Sequence, residues 1–143
     1  MNTSRTLLAK ALPLAAGSIV LTLVLSANVQ FGANSALNAS RAPGYVSPST
    51  VVERGGQRIG IVGLTIAHKT KASSSPDADT NFEDETTAAQ REIDRLRNQG
   101  INKIVVMSHV GYEYDLQIAP KLSGVDVVVG GDSHTLLGPV GLT

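Results

Sequence analysis

The chain has 143 residues, no cysteine, and 12 basic against 12 acidic side chains, for a formal net charge of zero. Without cysteine, disulfide scaffolds, thiolate metal sites and cysteine nucleophiles are excluded, so a metal site here must use nitrogen and oxygen ligands. No basic cluster interleaved with aromatics offers a nucleic-acid groove, and the length suits about one domain while being short for a complete α/β enzyme. The charge is uneven: residues 61 to 143 hold seven basic and eleven acidic residues, and all three histidines.

In chain order, Arg5 and Lys10 precede an apolar stretch from Leu12 to Leu25, broken by Pro13, Gly17, Ser18 and Thr22 and followed by Ser26-Ala27-Asn28. One reading is a secretory signal with a small-residue cleavage region. The other is a short helix over roughly residues 5 to 16 and a buried strand over roughly Ser18 to Leu25. The stretch is too short and too interrupted for a membrane span, which needs about 20 predominantly apolar residues. Residues 28 to 50, rich in Asn, Ser, Ala, Gly and Pro, read as a long irregular connection. Thr50 to Glu53 and Gln57 to Leu64 are strand-like, and Arg54-Gly55-Gly56 between them predicts a tight β-hairpin. The second of these strands opens into a polar loop, Ile66 to Asn81, that contains His68, read as a loop residue.

A helix is expected next. Thr80 and Glu83 have capping-box spacing, Asp84 and Glu85 place negative charge at its start, Ala89, Ile93 and Leu96 share a face, and Gly100 is a stop. Ile104 to Met107 is a second core strand, Glu113 to Lys121 a second short helix, and Val125 to Val129 a third core strand. The fold class is therefore α/β, with consecutive βαβ units whose strands are parallel. The loops beginning near Thr65, Ser108 and Gly130 should gather at the carboxyl edge of the sheet, where open α/β sheets place their sites.

Two motifs at that edge carry chemistry. Gly130-Gly131-Asp132-Ser133-His134 follows a buried strand, and its glycines let the backbone turn sharply and approach another group. Asp132 and His134, two apart, form a carboxylate and imidazole pair suited to zinc or manganese. The competing reading is a polar turn in which Asp132 bonds backbone amides and His134 is solvated. His109, just past the neighbouring strand, is either a third ligand or an ordinary turn residue. Gly131-Asp132-Ser133 lacks downstream chain to supply an esterase triad, and no Gly-x-Gly-x-x-Gly marks a dinucleotide site.

Ser108-His109-Val110-Gly111-Tyr112, followed by Asp126-Val-Val-Val-Gly-Gly-Asp132-Ser133-His134-Thr135-Leu136-Leu137-Gly138, resembles the second half of the catalytic domain of bacterial 5′-nucleotidases in the calcineurin-like metallophosphoesterase superfamily. Leu25 to Val29, Val52 to Thr65 and the capped helix resemble the same family in the same order. The resemblance implies a partial calcineurin-like fold over residues 1 to 143, with residues 6 to 25 as domain interior. It also implies hydrolysis of nucleotides or other phosphate monoesters by two divalent metal ions, zinc, manganese or similar, and a periplasmic or extracellular location. By position, His109 and Asp132 would bind one metal and His134 the other; the family more often has His where Asp132 stands. The family's earlier Asp-x-His pair, bridging Asp and Gly-Asn-His-Glu block have no counterpart ahead of Ser108, nor is there a C-terminal nucleotide-binding domain. The expectation is therefore a fragment of a metal-dependent phosphomonoesterase, or alternatively a catalytically inactive remnant or an exported module that binds metal weakly.

Overall fold

β-branched and aliphatic runs in the middle of the chain build a four-stranded mixed sheet in the computed structural model, which describes residues 24 to 136. The short strands β1 (Val24–Leu25), β2 (Val29–Gln30) and β3 (Val46–Ser47) precede β4 (Ser49–Arg54) and β5 (Gln57–Thr65). Helix α1 (Ala67–Ser73), β6 (Asn81–Phe82) and α2 (Glu85–Asn98) lead to β7 (Ile104–His109), α3 (Tyr112–Ile118), a 3-10 turn at Ala119–Lys121, and β8 (Val127–Val129). The sheet order is β4-β5-β7-β8, with β4 antiparallel to β5 and with β5, β7 and β8 parallel. The α/β class and the hairpin are as the sequence indicates. The helix over residues 5 to 16 and the signal-peptide reading lie outside the described residues, as does all of the expected N-terminal strand except Val24 and Leu25. These two form β1, paired in parallel with β3.

The hairpin turns on two residues. Arg54 pairs with Gln57, and Gly55 and Gly56 between them have φ of 55° and 72°. Two consecutive positive-φ positions give a turn whose twist matches that of the flanking strands.

Alternation along β5 and β7 separates two faces. Val62, Leu64, Ile104 and Val106 are buried with Ala89, Ile93 and Leu96 of α2 in one apolar cluster. Ile93, Leu96, Ile104 and Val62 are each 0% exposed, and full burial of such a side chain is worth about 1.5–3 kcal/mol relative to exposure. On the opposite face, the end of β1 closes on Gly63, where a Cβ would lie 2.4 Å from the Leu25 carbonyl oxygen, and Ala27 N–H then donates to the Gly63 carbonyl at 2.8 Å; only glycine admits so close an approach. Beyond β1, this face presents Met107, Val127 and Val129 at 51%, 49% and 51% exposure.

Three local expectations are corrected. The cap of α2 is Asp84, whose carboxylate accepts from the Thr87 N–H at 2.8 Å, and not Thr80. Glu83 lies outside the helix and pairs with Arg91, which also donates to the Ala27 carbonyl. The segment from Ile66 to Asn81 is not a loop throughout: it contains α1 and the first residue of β6, and β6 pairs antiparallel with β2. The second helix begins at Tyr112 and gives way to a 3-10 turn at Ala119, where Pro120 lacks the N–H that would continue the α pattern.

Candidate functional site

The register of the parallel strands places their ends together. Thr65 of β5 pairs with His109 of β7, while Val129, the last residue of β8, pairs one step of pleat earlier, with Met107. The chain after β8 therefore passes His109 as it leaves the sheet. Gly131 makes the approach close, since a Cβ on it would lie 3.2 Å from the Ser108 carbonyl oxygen and 3.3 Å from His109 Nδ1. The loop is then fastened: the Ser133 hydroxyl accepts from the Tyr112 N–H at 3.1 Å and bonds the Thr135 hydroxyl at 2.9 Å. The gathering of the three loops at the carboxyl edge is thus realised.

Asp132 is the centre of this edge. Its φ of 75° is one that aspartate tolerates better than most residues, and its side chain is 14% exposed. One carboxylate oxygen, Oδ1, accepts from Lys69 Nζ at 2.5 Å and lies 3.7 Å from His109 Nε2. The Lys69 hydrogen bond holds the Asp132 carboxyl below its ordinary range against the opposing desolvation, and the charges of Lys69, His109 and His134 add to it. The polar-turn reading of Asp132, in which it bonds backbone amides, does not describe this arrangement: among the described residues its hydrogen-bond donor is a side chain.

His134 takes a φ of 53° and lines an open pocket of about 370 Å3 together with Tyr112, Asp115, Leu116 and Ser133. His68 is on α1, not in a loop, and stacks at a tilt on Tyr114 with ring centroids 5.7 Å apart. The Ser108 hydroxyl is buried and finds no hydrogen-bond partner among the described residues. By strand alternation it follows Ile104 and Val106 onto the α2 face and so does not reach the His109 side.

The donor set among the described residues falls short of what a metal centre needs. Ligands of one zinc ion lie about 2.0–2.2 Å from it, so two atoms sharing an ion are necessarily close, and the 3.7 Å between His109 and Asp132 comes near that spacing. Lys69, however, already donates to the same oxygen. Among the described residues, no three His, Asp or Glu side chains gather closely enough to hold an ion. A dinuclear centre does not fit these residues. Lys69 is the participant that the sequence did not reveal; it sits in a run of basic and small residues, 63 positions from Asp132.

No family model matches the chain. It is 49% identical over 115 residues to a probable 5′-nucleotidase of Treponema pallidum, across 80% of this chain and 18% of that protein. The Haemophilus influenzae NAD nucleotidase structure superposes with a TM-score of 0.73 at 42% identity, covering 81% of this chain and 22% of that one. A calcineurin-like phosphoesterase from Bacillus subtilis, 17% identical with a TM-score of 0.62 over 79% of this chain and 37% of its own, shares the fold. The chain spans 18% and 19% of the lengths of the first two curated relatives it matches. It is homologous to one segment of the 5′-nucleotidases and has the corresponding part of the calcineurin-like phosphoesterase fold.

Proposed function

We propose, from this homology, that residues 1 to 143 correspond to the C-terminal half of a 5′-nucleotidase-like metallophosphoesterase catalytic domain and that the chain by itself is catalytically silent. The parent reaction is hydrolysis of a phosphate monoester, with a nucleotide as the substrate class and the periplasm or extracellular space as the location. His109 and Asp132 are the positions for one metal, and His134 for a second. On this reading, their partners in a complete centre come from an Asp-x-His pair, a bridging carboxylate and an Asn-His block that are not found ahead of Ser108. Zinc or manganese would supply Lewis-acid activation of water and charge neutralisation in a complete centre. Here the chain's own residues orient a carboxylate and an imidazole at the sheet edge, and Lys69 neutralises the carboxylate.

The observation that carries this reading is the homology to under a fifth of the length of the first two curated relatives, with His109 Nε2 and Asp132 Oδ1 3.7 Å apart at the sheet edge. Titration of the purified chain with Mn2+ by calorimetry tests it. One weak site or none is expected; two tight sites would contradict the ligand count. Among the described residues no helix is long and apolar enough to cross a membrane.

A further inference from the structure

Resting on that reading of the edge, we propose that Lys69 is a built-in cation that occupies the Asp132–His109 site and competes with a divalent metal for it. Three observations carry the inference. Lys69 Nζ and His109 Nε2 both address the same oxygen, Asp132 Oδ1, at 2.5 and 3.7 Å, so the ammonium stands beside the atom a metal would need. Asp132 is mostly enclosed, with a side chain 14% exposed, so its carboxylate has little open surface at which a second cation can be added beside the first. Finally, α1 presents Lys69 from a short helix with no buried residue of its own, and an ammonium on a flexible stem is a compact point charge that fits such a place.

The aspartate is what makes the arrangement possible. A carboxylate attracts the ammonium, whereas a neutral imidazole at position 132 would offer it an acceptor nitrogen but no charge. Asp132 and Lys69 thus act as a pair: an anionic ligand together with the cation that cancels it. A metal entering this site must displace Lys69 or bear its repulsion at short range, where like charges interact strongly.

The test is Mn2+ affinity measured at neutral pH by calorimetry and by the electron paramagnetic resonance signal of free Mn2+, in the wild-type 143-residue chain and in Lys69→Met and Lys69→Arg. Met keeps most of the stem and removes the charge; Arg keeps the charge. Circular dichroism establishes that each variant has the wild-type fold. The expected result is a rise in affinity of about tenfold or more in Lys69→Met, from relief of close charge repulsion, with no rise in Lys69→Arg and loss of the gain in Lys69→Met/Asp132→Ala. Affinity in Lys69→Met no higher than in wild type, with wild type weak, overturns the role of Lys69 and leaves the proposed function standing. An equal rise in Lys69→Arg also overturns it, since charge would then not be the cause. Two tight sites in the wild-type chain would overturn the proposed function itself.

Discussion

Asn28 shows how single side chains set the geometry of the sheet edge. It is 0% exposed, yet its amide is used on both sides: Nδ2 donates to the Thr65 carbonyl at 2.7 Å, and Oδ1 accepts from the Thr65 N–H at 3.0 Å. It therefore satisfies both backbone groups of the residue that ends β5 opposite His109. Ser26 adds a hydroxyl contact to the Thr65 side chain at 2.9 Å. Asn28→Ala removes both partners inside the protein, and leaving these partly buried backbone groups unsatisfied is expected to cost about 1–3 kcal/mol. Urea unfolding measures this; a loss below about 0.5 kcal/mol would mean that water replaces the amide without penalty. The Ser26-Ala27-Asn28 triplet is conspicuous in the sequence, but the groups that the Asn28 Nδ2 reaches lie 37 and 55 residues away. For the same reason Lys69 was not legible beside Asp132: local spacing carries no information on which distant charges meet.

At the scale of elements, α2 joins the capped start of a helix to the core. Asp84 is exposed, and the backbone hydrogen bond from Thr87, followed by that from the Thr87 hydroxyl, holds its carboxyl below the ordinary value of 3.8. A carboxyl whose folded pKa is lowered contributes stability above its unfolded pKa and loses it as pH falls through the folded value. Asp84→Ala is accordingly expected to lower stability by about 1 kcal/mol near neutral pH, the usual worth of such a cap. The gap from wild type should begin to narrow as pH drops below the ordinary carboxyl value, where the unfolded chain takes up the proton first, and should close once the pH has fallen through the lowered folded value. Thermal melts of the two proteins across that range measure it, and a gap that stays constant or widens in acid would show that the carboxylate charge has no part. Glu92, buried at 6% exposure, fastens the same helix to β4 by accepting from Ser49 at 3.1 Å while pairing with Arg95.

The elements with strong periodicity were readable: the glycine-turned hairpin, α2 with Ala89, Ile93 and Leu96 on its buried face, and the apolar runs of β7 and β8. Helix α1 was not, because none of its residues is buried and its N-cap residue, Ile66, offers no capping side chain, the Ala67 N–H donating instead to the distant Glu85 carboxylate, so it leaves neither an apolar stripe nor a local start signal. The start of α2 is ambiguous in sequence because Thr80 and Glu83 mimic a capping box only four residues before Asp84 and Thr87, which do the bonding. Of the site, the positions of His109 and Asp132 beside one another followed from two strand ends in one parallel sheet. The direction of His134 did not, since its positive φ turns it toward the pocket beside Tyr112 and Asp115.

The whole molecule has one sheet face covered by α2 and another on which, among the described residues, Met107, Val127 and Val129 are about half exposed. Parallel strands are normally covered on both faces, and contiguous apolar surface favours association. Sedimentation velocity is expected to show an average mass that rises with concentration and falls back in Met107→Thr/Val129→Thr; a monomer at every concentration would count against this. The half-exposed face accords with a chain that has the fold of one segment of a phosphoesterase. The most direct check is phosphate release from a nucleoside 5′-monophosphate by the purified 143-residue chain with excess Mn2+, beside its His109→Ala variant. No release above that of the variant is expected; turnover that persists through purification and disappears with His109→Ala would contradict the reading.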